Sequence, residues 1–310
     1  VPALPAFHAS YPDLVLDLSQ PLQLPLAFIS LFGRADGVID GTITGRGTLA
    51  TPELGGRLTV SDARVDLRSI GQRLRDLHGE VFVETGRIRF TDFEARDQDG
   101  RVNLDGSVDL DGFLPQRLHL ETSAHQFPVR QESTIVATLT GEATMDALLD
   151  SSSMDGNVRI ADLDIRLPDE TQRDPIELQG HSDIVVLSRA PAVESTEEPY
   201  RIHLLIDASR AFWVRSQMFS TQVAANLDVL YADPDFRVAG SADLRRGFFE
   251  VMGKRFEIEQ GGLAFDGGPR LNPEVNLLAT AQLRGGSNNT VSVRASGRLA
   301  EPEIVFSSPL

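Results

Sequence analysis

From Gly253 to Leu310 apolar residues recur at every second position, run after run. Phe256 and Ile258 come first, then Leu263 and Phe265. Val275 and Leu277 lead a run that continues through Ala279, Ala281 and Leu283. Val291 and Val293 follow, then Ile304 and Phe306. Residues two apart on a strand share a face, so each run predicts a strand with one apolar side. Gly261-Gly262, Gly267-Gly268-Pro269 and Gly285–Asn289 separate the runs and read as hairpin or loop signals. No helix pattern follows that would cover the apolar side, so what fills that face is the first question this chain poses.

The same alternation runs upstream. Val81 with Val83, Ile88 with Phe90, and Val102 with Leu104 mark three strands. Ile202, Leu204 and Ile206 alternate with polar Arg201, His203 and Asp207, the mark of one wet and one dry face. Thr221–Tyr231 is apolar on both sides in places. A loose repeat places Gly-led strand pairs at Gly56, Gly156 and Gly240, with further hairpins over His78–Phe90 and Gly253–Phe265. Seven Asp-Gly steps supply the chemistry of tight turns, and Asp105-Gly106 also suits a bulge inside a strand. Helical spacing occurs only over Ser69–Leu77 (Ile70, Leu74, Leu77) and Thr144–Asp150, each too short for a helix to be assigned. The expected fold is all-β: an elongated, curled antiparallel meander with an apolar interior groove and little or no helix. About 20 strands at ~4.8 Å spacing would make a single sheet about 100 Å long.

Residues 1–36 are Pro-rich, with an alternating run at Leu14, Leu16 and Leu18 and an apolar patch at Leu26–Phe32. They are set apart as N-terminal strands of a cut fragment, and 37–310 is taken as one domain of repeated hairpins. Ala190–Glu198 reads as an acidic loop. The chain opens on Val, and no run reaches the ~20 apolar residues of a membrane helix.

A net charge of -16, with no basic cluster in the sequence, argues against nucleic acid and against adsorption to anionic lipid. The absence of cysteine excludes disulfides, zinc-thiolate sites and thiol nucleophiles. The six histidines lack metal-binding spacing, and neither a nucleophile elbow nor a phosphate loop is present. The carboxylates Asp97, Asp99, Asp105, Asp109 and Asp111 lack the order of a calcium loop, and hairpin turns account for them. Neither a metal nor a cofactor is expected, and no enzyme activity. The 16 Phe against 3 Tyr and 1 Trp offer apolar surface without the polar ring edges of a sugar site. The apolar face itself is therefore the functional candidate. Alternation leaves it two arrangements, open as a groove or closed on itself as a core, and a single bulge reverses which side chains point inward.

Several stretches resemble the TamB family of AsmA-like bacterial envelope proteins. They are Leu74–Arg89 (LRDLHGEVFVETGRIR), Phe93–Leu110, Gly253–Leu283 and the ending VSVRASGRLAEPEIVFSSPL. Gln260–Ala279 and Val293–Leu310 match the family's two C-terminal patterns, with a departure at Asn272–Val275. The resemblance covers about 37–310 and implies a periplasmic half-pipe, anchored in the inner membrane by a helix outside this sequence. It implies phospholipid as cargo, held by acyl chains on the apolar side chains named above. It also implies an outer-membrane barrel partner of the TamA type, with outer-membrane proteins and autotransporters as possible clients. On this resemblance the chain is expected to be a bridge carrying phospholipid. A scaffold receiving client strands and a purely structural module are the alternatives.

Overall fold

The computed structural model describes residues 14–21, 34–47, 52–67, 72–131, 134–149, 151–167, 201–232, 235–251, 253–282 and 290–308. Its strands run in order: β1 Leu14–Pro21, β2 Arg34–Gly47, β3 Pro52–Leu67, β4 Gln72–Glu84, β5 Arg87–Asp97 and β6 Gly100–Asp111. Then come β7 Leu114–Gln131, β8 Thr134–Leu148, β9 Ser153–Arg166, β10 Arg201–Arg215 and β11 Phe219–Ala232. The last are β12 Asp235–Val251, β13 Lys254–Asp266, β14 Glu274–Gln282, β15 Thr290–Arg298 and β16 Glu303–Ser307. All 16 pair in sequence order into one sheet, and none of the described residues is helical. Sixteen strands span about 70 Å across the sheet at ~4.8 Å each, shorter than the sequence suggested. β1 is the expected strand at Leu14–Leu18 and extends the same sheet. The stretches 26–32 and 190–198 lie outside the described residues.

One junction departs from the meander. β9 and β10 run parallel, while every other neighbouring pair is antiparallel. At one end the Arg201 amide donates to the Ser152 carbonyl (2.9 Å). At the other the Leu167 amide donates to the Arg215 carbonyl (2.8 Å). A parallel pair needs its chain carried back along the strand, so no hairpin can join these two.

Irregularities interrupt the register in the middle of most strands. Val60 and Ala63, Phe90 and Phe93, and Ala124 and Phe127 flank three such bulges. Asp62, Asp92 and Gln126 sit in them with φ of 50°, 56° and 46°. A left-handed residue costs about 1–2 kcal/mol unless it is Gly, least for Asp and Asn. An extra residue reverses side-chain parity, so apolar residues three apart return to the same face. This explains Leu74 and Leu77. Their spacing imitates a helix, but Asp76 (φ 51°) makes a bulge in β4 between them. Thr144–Leu148 is likewise strand.

Two further turn signals fall inside strands. Gly261-Gly262 lies within β13, so Gly253–Phe265 supplies one strand rather than a hairpin. A Cβ on Gly261 would meet the side chains of Leu244 and Leu277 (2.8 and 3.1 Å), which occupy that space. Of the Asp-Gly steps, 99–100, 111–112 and 266–267 fall at strand ends, whereas 36–37, 40–41, 105–106 and 155–156 lie in mid-strand. Gly285–Asn289 lies outside the described residues.

One side of the sheet is polar and built from cross-strand ladders. Arg57, Phe82 and Arg89 stand opposite one another on β3, β4 and β5, with guanidinium carbons 5.4 and 5.2 Å from the ring centre. His119, Asp146, Asp155 and His203 form a second row across β7–β10. His119 Nδ1 lies 2.8 Å from Asp146 and its Nε2 3.3 Å from Glu121. His203 contacts Asp155 and Asp228 at 3.2 and 3.0 Å. The Asp146 and Glu121 hydrogen bonds raise the His119 pKa above its ordinary 6.5. A raised folded value means that the ladder's contribution is complete below the unfolded value. It disappears as pH climbs through the folded one. Replacing His119→Gln should therefore flatten the fall in stability between mildly acidic and alkaline buffer, measured as unfolding midpoints in urea.

Candidate functional site

Directly paired residues share a face, so the register fixes which side chains stand together. One row runs Gly41, Leu58, Val81, Phe90, Gly106, Leu120, Met145, Gly156, Leu204, Val229, Val238 across β2 to β12. Every member is apolar or glycine, and the parallel junction does not break the row. The next row carries Val83, Ile88, Val108, Leu118, Ala147, Met154 and Ile202. On the other side, Phe93 pairs with Leu104 and Ala95 with Val102. Ile206 continues through Leu227 and Gly240 to Phe265.

The C-terminal strands join the same face. Ala242 pairs with Leu263, and Leu263 with Val275. Gly261 pairs with Leu277, and Ile258 with Ala279. Val291, Val293 and Ala295 stand opposite Ala281, Ala279 and Leu277. Phe306 and Ile304 pair with Val293 and Ala295. All the groove residues read from alternation thus fall on one face, despite the bulges between them. Their burial differs. Val83, Phe256, Val275 and Val293 are buried, while Ile304 and Phe306 on β16 are 54% and 61% exposed. Phe256 stacks on Phe249 with ring centres 5.5 Å apart.

Glycines set the floor. A Cβ on Gly106 would overlap the His119 carbonyl and the Leu120 side chain; one on Gly156 would meet Leu204 (2.8 Å) and Met145 (3.3 Å). Large neighbours thus take up the space that a side chain at these glycines would need. The glycines heading the sequence repeats, Gly56, Gly156 and Gly240, all fall on this face. Gly106→Val should cost about 1–3 kcal/mol by overpacking, because the backbone oxygen cannot swing away. Thermal unfolding would read it as a lower Tm.

Among the described residues no second layer lies on the apolar face. Among the described residues no large side chain is less than 2% exposed, and each strand packs almost wholly on its sequence neighbours. A closed sandwich of this size would hide many large side chains completely. Within the described strands the face is therefore uncovered, and the sheet curls toward it. Cα atoms of β4 and β7 come within 8 Å, whereas three flat strand spacings would put them about 14 Å apart.

Sequence reasoning missed what holds that curl. Gln72 and Asp97 occupy apolar-face positions at the ends of β4 and β5, and Arg130 reaches Asp97 from a register shift at the end of β7. Gln72 Nε2 donates to Asp97 at 3.0 Å, and the Arg130 guanidinium donates to both Asp97 oxygens at 2.8 and 3.0 Å. Asp97 is 3% and Gln72 5% exposed. Asp97 had stood among the turn carboxylates. Of the others, Asp105 accepts the Asp92 amide in its bulge (2.8 Å), and Asp109 takes Arg87 (2.6 Å). No group of three or more His, Asp or Glu side chains among the described residues is arranged to hold a metal ion.

A one-layer, all-β sheet curled about an apolar face defines a half-pipe class of protein. Residues 91–309 match the family model for the TamB C-terminal domain, and the chain belongs to that family. Membership associates it with the Gram-negative envelope, in outer-membrane assembly and lipid transport broadly. A comparison with curated proteins found no match. No helix among the described residues is long and apolar enough to cross a membrane, which says nothing of strands.

Proposed function

We propose that the apolar face carries phospholipid by its acyl chains, in a periplasmic segment of an inner-membrane-anchored protein working with an outer-membrane barrel of the TamA type. The observation that carries this reading is the uninterrupted apolar row across β2–β12, on a face that no second layer of described residues covers. Each methylene removed from water contributes about 0.8 kcal/mol. A chain lying along the row is held by many equal contacts and by no single pocket. It moves from one position to the next without crossing a large barrier. Headgroups stay in water beyond the strand ends. The protein performs no chemistry in this scheme.

A photo-crosslinking residue at Phe265, Leu277 or Val293 in the full-length protein should yield phospholipid adducts, read by mass spectrometry. Leu277→Glu should stop lipid delivery to the outer membrane while the protein stays folded. Normal delivery by that variant, with no adduct at any position, sinks the proposal.

A second reading rests on β16. This strand pairs only with β15 among the described strands, and Ile304 and Phe306 remain exposed on it. Such an edge accepts an added strand through main-chain hydrogen bonds. Protein adducts in place of lipid, concentrated at Phe306, would favour a scaffold for outer-membrane clients.

A further inference from the structure

The apolar face is not equally open along its length. Ala63 is 0% and Ala95 2% exposed, and Val65 and Phe127 are also buried, beneath the point where β4 and β7 approach. The β5–β6 hairpin is shorter than its neighbours at this end. β4 pairs with β5 only from Arg75 onward, and β7 pairs with β6 only as far as His125. Gln72–Leu74 and Phe127–Gln131 therefore project past the hairpin tip from either side. They close over it through Gln72, Asp97 and Arg130.

We infer that this closure is a latch over a further acyl-chain segment of the groove, an inference that rests on the lipid-carrying reading above. Two observations support it. First, the covered surface is continuous with the open one: Ala95, Val102, Ala124, Gly141 and Ile160 form a single row from β5 to β9. An occupant there is of the same chemistry as the occupant of the open face. Second, the closing contact is an ion pair on an otherwise apolar surface. Apolar side chains of similar volume would stabilise a permanent core at least as well, so an ion pair is a poor choice for one. It is suited to a contact with a defined closed geometry. On opening, Arg130 would meet an anionic headgroup just where the covered row reaches the strand ends.

The test uses the full-length protein in cells, with photo-crosslinking residues at Ala95 and, separately, at Leu204 on the open face. Asp97→Asn should raise phospholipid adducts at Ala95 several-fold and leave those at Leu204 unchanged. This region has no native cysteine, so Gln72→Cys with Arg130→Cys can be bridged by a short thiol crosslinker. The bridged protein should lose adducts at Ala95 and deliver less lipid, while Leu204 still labels. Equal labelling at Ala95 whether the latch is intact, neutralised or bridged overturns the latch. The same holds for normal delivery by the bridged protein. If Leu204 labels in no background, the groove reading fails and the latch with it.

Discussion

Two stacked sheets hide their apolar faces from water about 10 Å apart. A single sheet must find burial within itself, and it has two means: bending along its strands and curling across them. Both operate here. Register shifts in mid-strand bend the strands, and β4 draws toward β7 across the sheet. What this achieves is partial. Small residues such as Ala63, Ala208 and Ala279 disappear from solvent, while Leu204 and Ile206 stay half-buried. The residual exposure is a property of one-layer architecture, and it leaves a long surface able to gain more burial from a ligand.

The polar face carries the opposite requirement. Its strands have no partner layer either, so their side chains must be satisfied by one another and by water. The ladders do this. Arg57 and Arg89 cover the Phe82 ring, and His119 and His203 flank the directly opposed Asp146 and Asp155, whose charges would otherwise repel across β8 and β9.

Much of this was legible because β-strand periodicity is local. Alternation at Val81–Val83, Ile202–Ile206 and Val291–Val293 located strands and named the apolar residues, and those residues do share a face. Junctions were harder. Leu74 and Leu77 looked helical because a bulge and a helical turn both bring residues three apart to one side. Gly261-Gly262 looked like a turn because composition cannot show that Leu244 and Leu277 need the space. Asp155-Gly156 misled for the same reason: Met145 and Leu204 fill the room that the glycine leaves. The Asp97–Arg130 pair was out of reach. The two residues are 33 apart in sequence, on strands separated by β6, and only the curl brings them together. The parallel junction was equally hidden, since apolar alternation carries no sign of strand direction.

The glycines and the bulges answer one problem from two sides. A surface that grips acyl chains along its length must keep its apolar parity through every bend, or a polar side chain would interrupt it. Bulges restore that parity after each bend, at the expense of left-handed Asp and Gln residues. A levelled surface must also avoid deep pits, because a pit would trap a chain end and stop its movement. At Gly106 and Gly156 the side chains of Leu120, Leu204 and Met145 take up that space. A core selected for stability alone would favour interlocking side chains of unequal height, since close packing maximises dispersion contacts. The unbroken row across β2–β12 accords with the proposal that acyl chains lie along it.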